Sequence, residues 1–346
     1  MANDLVSRAA ADAEKLFRPG TRILAAVSGG PDSVFLCLVL KSLASAGRFT
    51  FAIAYIHHGL RRAADDEAVF VRNLARSLGV PFYMRRIRIR SRANLEEKAR
   101  TLRYQALSAI ARRAGCAVIA TGHQQDDQAE TVLMNLLRGA GLRGLTAMKP
   151  VSPCPEDPGI SLVRPLLDIP RKEIETYLRA NSIRFLSDES NQSPLFLRNR
   201  LRHDVLPLLE KISPSATARL ARSASILRDD CEFLRQEADA RFTCLLLPPF
   251  SFIRLDRKKL SRLHPSLARM VILRAIEEAS GAHASFSDIE RIRRAAAENR
   301  ASRFTLKNDT RVAITSFAVS FPPRRQLPAE PARVRPSGTT RLPAFG

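Results

Sequence analysis

Ser28-Gly29-Gly30-Pro31-Asp32-Ser33 follows directly on the apolar run Ile23-Leu24-Ala25-Ala26-Val27 and precedes the apolar segment Val34 to Leu43. A buried strand, a short glycine turn and a helix start, in that order, build a cradle for phosphate. Glycine lets the backbone approach an anion, and the free N–H groups of a first helical turn point at it. The hydroxyls of Ser28 and Ser33 and the carboxylate of Asp32 stand where contacts to phosphate and metal would be needed. A Walker loop would end in Gly-Lys-Ser/Thr and a dinucleotide fold would read G-x-G-x-x-G, and neither pattern is present. The plainer alternative is an ordinary strand-to-helix turn, since Ser, Gly, Pro and Asp all favour turns.

Outward from that turn, strand-like and helix-like runs alternate as in a parallel α/β sheet. Ile23–Val27, Phe51–Ile56, Phe82–Ile89 and Ala117–Thr121 are expected as strands, and Val34–Ser45, Asp66–Leu78 and Asn94–Ala114 as helices. Asn94 with Glu97 three residues later has the arrangement of a capping box. Ligands of such a sheet lie beyond the carboxyl ends of its strands, where Ser28, His57 and Gly122 all fall. A second region begins near Ser213-Pro214, with helices expected at Ala216–Ala240, Ser266–Glu278 and Ser287–Glu298. Short strands are expected there at Ser251–Leu255, Arg303–Leu306 and Val312–Ile314, the last two joined by a turn at Asn308-Asp309. The expected fold is therefore α/β: a doubly wound parallel sheet over residues 1–213, then a smaller, mainly helical domain over 214–321. Residues 322–346 form a Pro- and Arg-rich tail whose composition points to disorder.

Charge is the second strong signal. Lys and Arg outnumber Asp and Glu by 56 to 34 in 346 residues, a net charge of +22, and only nine of the basic residues are Lys. Guanidinium forks suit phosphate, and an excess of base points to a polyanionic partner. Genomic bias towards Arg codons would account for Arg over Lys but not for base over acid, so RNA or DNA is the expected class of partner. No apolar run approaches the ~18 residues of a membrane span, and Asp4, Arg8, Asp12 and Glu14 give no signal-peptide pattern. Five scattered cysteines, with no C-x-x-C pair, argue against a zinc site, a cysteine-ligated cluster and a disulfide framework. A reducing cytoplasm is the expected location.

A second dense constellation is Thr121-Gly122-His123-Gln124-Gln125-Asp126-Asp127-Gln128-Ala129-Glu130-Thr131. It follows a strand and opens a helix whose apolar residues Ala129, Val132, Leu133, Leu136 and Leu137 share one face, with Gly139 to end it. Asp126 and Glu130 are four apart and Asp127 and Glu130 three apart, so the carboxylates are expected close together on the exposed side. Such a cluster awaits a cation. Acids in a first helical turn also favour the helix dipole, which accounts for two of them but not for a third acid and a His in the same patch.

The hexapeptide resembles the pyrophosphate loop of the N-type ATP pyrophosphatases, which split ATP into AMP and pyrophosphate. Further motifs narrow the resemblance to the tRNA(Ile)-lysidine synthases of that superfamily. After the loop come His58-Gly59-Leu60-Arg61, then Leu95-Glu96 with Ala99-Arg100 and Arg103-Tyr104. His123 and Asp126 to Thr131 follow, then Arg138-Gly139 with Gly141 and Gly144-Leu145, and Arg164-Pro165-Leu166-Leu167. Asp188, Ser190-Asn191, Arg198-Asn199 and Arg202 complete an ordered set over about the first 210 positions. His57 departs from the family, which usually has Asn or Asp there, and Gln124 stands where a second His is common. No catalytic role of that second His carries over. The region after residue 215 matches only loosely, and the additional C-terminal domain of longer members is not expected.

The resemblance implies a two-step ligation that uses ATP and Mg²⁺. Cytosine O2 in the CAU anticodon of tRNA(Ile) attacks the α-phosphorus, and the ε-amine of L-lysine then displaces AMP from C2 to give lysidine. It further implies that Ser28, Gly29, Gly30, Pro31, Asp32, Ser33 and His58 serve the nucleotide and that Arg61 and Arg100 serve either the nucleotide or the backbone fold, with Asp32 as a metal ligand and Asp126 shared between metal and amine. Asp127 and Glu130 are the candidates for the lysine ammonium, and Arg198, Asn199 and Arg202 for ATP or tRNA phosphate, with a structural salt-bridge role next. His123 either positions the adenylated base or is a hydrogen-bonded strand-end residue. A homodimer is one assembly compatible with these motifs.

Arg85, Arg86, Arg88, Arg90 and Arg92 alternate in part with Ile87 and Ile89, as on an edge strand with one charged face. Two further readings keep the loop. A tRNA thiolase would need reactive, usually paired cysteines. A non-catalytic ATP-binding RNA adaptor would have lost Asp32 or the Asp126–Glu130 cluster, and both are intact.

Overall fold

The computed structural model describes residues 3–57, 63–88, 95–186, 197–248, 251–281, 284–298, 301–307 and 309–322. The chain divides into two compact units, Met1–Arg228 and Asp229–Gly346. The division falls inside a long helix, after the Ser213-Pro214 boundary read from the sequence.

The first unit opens with helix α1 (Asn3–Glu14), strand β1 (Arg22–Ala26), α2 (Pro31–Ser45), β2 (Thr50–His57), α3 (Ala63–Leu78) and β3 (Phe82–Arg86). It continues through α4 (Leu95–Arg113), β4 (Val118–Thr121), α5 (Gln125–Leu137), α6 (Leu142–Leu145), β5 (Val151–Cys154), β6 (Asp157–Val163) and α7 (Arg171–Ala180). Its last helical stretch comprises α8 (Leu197–Arg200), a single π turn (Leu201–Val205), α9 (Leu206–Ile212) and the start of α10 (Ala216–Leu245).

Six strands lie in the order β3-β2-β1-β4-β6-β5. Five run parallel, and only β5 is antiparallel to its neighbour. Period-2 alternation divides the apolar side chains between the two faces. Ile23 and Ala25 of β1 with Phe51, Ile53 and Tyr55 of β2 enter a core shared with α1, α2, α3 and α7. Leu24 with Ala52, Ala54 and Ile56 enters the opposite core, under α4. Both faces are covered, so the sheet is doubly wound as expected.

The β5–β6 hairpin is not among the strands expected from the sequence. Pro153, Pro155, Pro158 and Gly159 hide it, and β5 tolerates Pro153 because it is the sheet's edge. The arginine-rich run does begin at an edge: Arg85 and Arg86 of β3 and Arg88 beyond it are exposed while Ile87 is buried. Arg90, Arg92 and Asn94 lie outside the described residues.

In the second unit, the end of α10 is followed by β7 (Ile253–Asp256), α11 (Arg257–Ser261), α12 (Pro265–Ser280) and α13 (Phe286–Ala297). Strands β8 (Ser302–Thr305), β9 (Arg311–Ile314) and β10 (Ala318–Phe321) complete it. The strands form an antiparallel sheet in the order β7-β10-β9-β8. Val271, Ile272, Ala275 and Ile276 of α12 and Ile289 and Ile292 of α13 pack with Leu255, Val312, Ile314 and Val319 of the strands. The tail lies, from residue 323 on, outside the described residues.

Candidate active site

Strand order reverses between β1 and β4, where open α/β sheets place their ligands. Ala26 pairs with Thr121 across that seam, so the 28–33 turn and the Gly122-His123 turn leave the sheet at the same level. The backbone N–H groups of Ser28 and Gly29 both donate to Ser33 Oγ, at 3.3 and 3.1 Å, and that hydroxyl donates to Gly30 O at 2.9 Å. Ser33 thus closes the turn on itself, and Pro31 opens α2 without a side-chain cap.

Two glycines are required by geometry. Gly29 has φ +92°, and a Cβ there would stand 2.7 Å from Leu186 Cδ1. A Cβ on Gly122 would stand 2.9 Å from the backbone carbonyl of Asp32, so only glycine lets the second turn press against the first turn of α2.

Asp32, on that first turn, is the electrostatic anomaly of the site. Its Oδ1 is buried with no hydrogen-bond partner, and its Oδ2 lies 3.8 Å from Arg171 Nη1, beyond hydrogen-bond length. Burial pushes its carboxyl up to about 7, with Asp127 and Asp126 adding to the rise and Arg171 and Arg202 opposing it. Asp126 is raised as well, first by burial and then by Asp127 and Glu130. Its Oδ1 accepts the backbone N–H of Arg171 at 3.2 Å, which ties α7 to α5.

Asp127 and Glu130 are not on the exposed side of α5, as expected from the sequence, but buried, and the cation they await is supplied by the chain itself. Arg198 donates Nε to Glu130 Oε2 and Nη2 to Asp127 Oδ1, both at 2.6 Å. Arg202 donates Nε to Glu130 Oε1 at 2.6 Å and Nη2 to Asp127 Oδ1 at 3.1 Å. Each guanidinium spans both acids, and the two arginines sit four apart on α8 and the π turn that continues it. Burial works against the Asp127 carboxylate, but Arg198, His123, Arg202 and the Gln124 N–H together hold it below its ordinary range.

The apolar face expected for α5 is only partly buried. Ala129 and Val132 enter the core, whereas Leu136 and Leu137 are exposed. Gln124 is fully buried and caps α5, accepting from Asp126 N, while Asp127 Oδ2 accepts from Gln124 N at 3.0 Å in a capping box. A structural task thus occupies the position where the family often has its second His.

His123 Nδ1 lies 2.8 Å from Thr121 Oγ1. Burial lowers its pKa to about 3, with Arg164, Arg103 and Arg198 acting in the same direction against Asp127, so the imidazole is neutral at pH 7. Arg100 and Arg103 flank the buried Tyr104, their guanidinium carbons 5.1 and 5.3 Å from its ring centre. Asn199 sits on α8, partly buried, between the two clamping arginines. His58, Arg61, Asp188, Ser190 and Asn191 lie outside the described residues.

Arg171 and the helix that carries it were not singled out in the sequence. For the helix alone the signal was present, because Pro170 precedes an i, i+3, i+4 apolar set of Ile174, Tyr177 and Leu178.

Among the described residues no three His, Cys, Asp or Glu side chains form a metal-binding group. Mg²⁺ does not need one, since it binds through one or two carboxylates and completes its shell with phosphate oxygens and water. The orphaned Asp32 Oδ1 beside a phosphate-type turn fits that donor set.

The model of the PP-loop domain family, an ATP-binding family, matches residues 4–209. A tRNA(Ile)-lysidine synthase of Geobacter sulfurreducens is 38% identical over 318 residues, covering 88% of this chain and 66% of that protein. One of Dehalococcoides mccartyi is 34% identical, covering 80% of this chain and 59% of that protein. One of Nostoc sp. is 35% identical over 290 residues, covering 80% of this chain and 84% of that protein. The chain thus spans about three fifths to two thirds of the first two relatives. Among solved structures, a U34-tRNA thiolase of Methanococcus maripaludis superposes with TM-score 0.56 at 17% identity, covering 66% of this chain and 80% of that one. That likeness concerns the fold alone.

Proposed function

The chain belongs to the PP-loop family and, within it, to the tRNA(Ile)-lysidine synthases, and from that premise we propose that it ligates L-lysine to C2 of the wobble cytidine of a CAU-anticodon tRNA(Ile). The reaction passes through an adenylated cytidine and changes codon reading from AUG to AUA. The observation that carries the proposal is the meeting, at the β1–β4 seam, of the turn bearing the orphaned Asp32 oxygen with the acid–arginine network of α5. No cysteine pair offers a thiolase its sulfur chemistry.

In the first step cytosine O2 bonds to the α-phosphorus and the bond to pyrophosphate breaks. The 28–33 turn would grip the departing pyrophosphate through the N–H groups of Ser28 and Gly29, which Ser33 Oγ now occupies, and through both hydroxyls. Asp32, assisted by Asp126, would hold Mg²⁺, whose charge neutralises the developing pyrophosphate. The neutral His123 at the same seam is the residue to orient the base, and an anticodon base is already close to unstacked.

In the second step the lysine ε-nitrogen bonds to C2, AMP leaves with O2, and the amine loses a proton. At pH 7 a free lysine amine is neutral in roughly one molecule in a few thousand, so a carboxylate that binds the ammonium and accepts its proton is needed. Asp127 and Glu130 take this role once Arg198 or Arg202 turns from them to a substrate phosphate. Dispersed arginines of both units supply the tRNA contacts, and the cytoplasm is where such a substrate is met. No described helix is long and apolar enough to cross a membrane.

The test is incubation with ATP, radiolabelled lysine and unmodified tRNA(Ile) transcript. Label should enter the tRNA only with ATP, with one AMP released per lysine incorporated. A folded, tRNA-binding protein that incorporates none overturns the proposal.

A further inference from the structure

Arg171 stands against the candidate cation ligand without saturating it. Its Nε is held by Glu175 Oε1 at 2.9 Å, while its Nη1 reaches only to 3.8 Å from Asp32 Oδ2 and leaves Oδ1 without a partner. The carboxylate thus has a guanidinium nearby but no hydrogen bond from it, which is the state of a site held by a displaceable counter-ion. Arg198 and Arg202, by contrast, hydrogen-bond the acids they face, with four contacts of 2.6 to 3.1 Å.

The position of Arg171 is rigidly set. Its backbone N–H is bound by Asp126, and Gln125 N donates to Ile169 O at 3.0 Å just before it. Behind it, Ile174 and Leu178 are buried in the core shared with α2, and Tyr177 meets the Phe35 ring edge-on at 5.5 Å between centroids. The helix that carries Arg171 is therefore packed on the helix that carries Asp32, and only the guanidinium end is left to move.

We infer that Arg171 is a positioning residue for the ATP half-reaction: it occupies the cation position of Asp32 until a divalent cation arrives, and then turns its freed fork to the nucleotide phosphates. This rests on the reading of Asp32 as the metal-binding carboxylate. A guanidinium suits the task, being permanently charged and matched in shape to both carboxylate and phosphate.

Opposite effects on two ligands follow. Without nucleotide, Arg171 competes with the metal. With nucleotide, it contributes to phosphate binding. Mn²⁺ affinity of the nucleotide-free protein is measured by electron paramagnetic resonance, and affinity for Mg²⁺ with a non-hydrolysable ATP analogue by calorimetry. Arg171→Ala and Arg171→Gln should bind Mn²⁺ about tenfold more tightly than the unaltered chain and the nucleotide about tenfold more weakly. Arg171→Lys should lie between on both, and the Gln variant keeps enough side chain to pack if the Ala variant does not fold. A merely structural arginine would weaken both ligands together, and that result, or unchanged Mn²⁺ affinity, overturns the inference. Mn²⁺ binding that is undetectable, or that Asp32→Ala leaves intact, instead overturns the metal reading of Asp32 and the inference with it.

Discussion

Glu130→Gln is the most informative change in the acid–arginine network, because the substitution preserves shape while removing one acceptor and one charge. Glu130 is 0% exposed, and each of its oxygens accepts one Nε at 2.6 Å. The glutamine carbonyl can serve one arginine, and its NH₂ must then face the other donor. A charge-assisted hydrogen bond contributes ~1.5–3 kcal/mol, and stripping one partner from a buried ion pair costs ~3–5 kcal/mol. Arg198 and Arg202 are 27% and 21% exposed and keep Asp127, so water and the remaining acid relieve part of that cost. The expected loss is about 3 kcal/mol, within the ~5–15 kcal/mol that holds a domain folded. Tyrosine fluorescence during urea unfolding isolates the effect, since the chain has no Trp and its four tyrosines, Tyr55, Tyr83, Tyr104 and Tyr177, all lie in the first unit. With a slope of ~1–3 kcal/mol per molar urea, the midpoint should fall by about 1–3 M. Combining Glu130→Gln with Arg202→Gln should cost less than the sum of the single changes, by at least ~0.5 kcal/mol. A single-variant loss under about 0.5 kcal/mol, or strict additivity, would refute the description of these four side chains as one coupled buried network.

Asp32→Ala should abolish pyrophosphate release while tRNA binding persists. That binding should weaken steeply with salt in the variant as in the parent, because each neutralised phosphate releases counterions, and gel-shift titrations at several ionic strengths check both points. Asp127→Asn should still adenylate tRNA when lysine is left out, yet raise the lysine requirement tenfold to a hundredfold, the equivalent of ~1.5–3 kcal/mol; loss of adenylation in a folded variant would return Asp127 to the metal. Replacing all five cysteines by Ala or Ser should leave lysine incorporation intact in any variant whose circular dichroism is unchanged, and selective loss of turnover would point to sulfur chemistry.

The turn between β1 and α2 was legible because three signals coincide there: an apolar run, paired glycines and an N-terminal Pro-Asp. The four strands and the bodies of α2, α3 and α4 in the first 121 residues follow from the same coincidence of period and punctuation, whereas α1 was not expected. Burial on α5 was not legible. A helical wheel puts Glu130 among polar neighbours, and what buries it is a pair of arginines 68 and 72 residues later in the chain. Leu136 and Leu137 look like core on the wheel and are exposed. The β5–β6 hairpin was masked by its prolines. Arg171 was missed for a different reason: an arginine in an arginine-rich chain carries no signal until the fold brings it to a carboxylate. Periodicity reports the neighbours of a residue along the chain, and the site is made between turns that the chain order keeps apart.

An adenylation-and-chase experiment bears on the whole scheme. The protein is mixed with α-labelled ATP and unmodified CAU-anticodon tRNA(Ile) in the absence of lysine, then given unlabelled lysine, and cytidine 34 is followed by nuclease digestion and mass spectrometry. Label should first appear on that nucleotide as an adenylate, and lysine should then discharge it as AMP in step with the appearance of lysidine. Lysidine that forms without a chaseable adenylate, or an adenylate that lysine does not discharge, would contradict a two-step ligation at the β1–β4 seam.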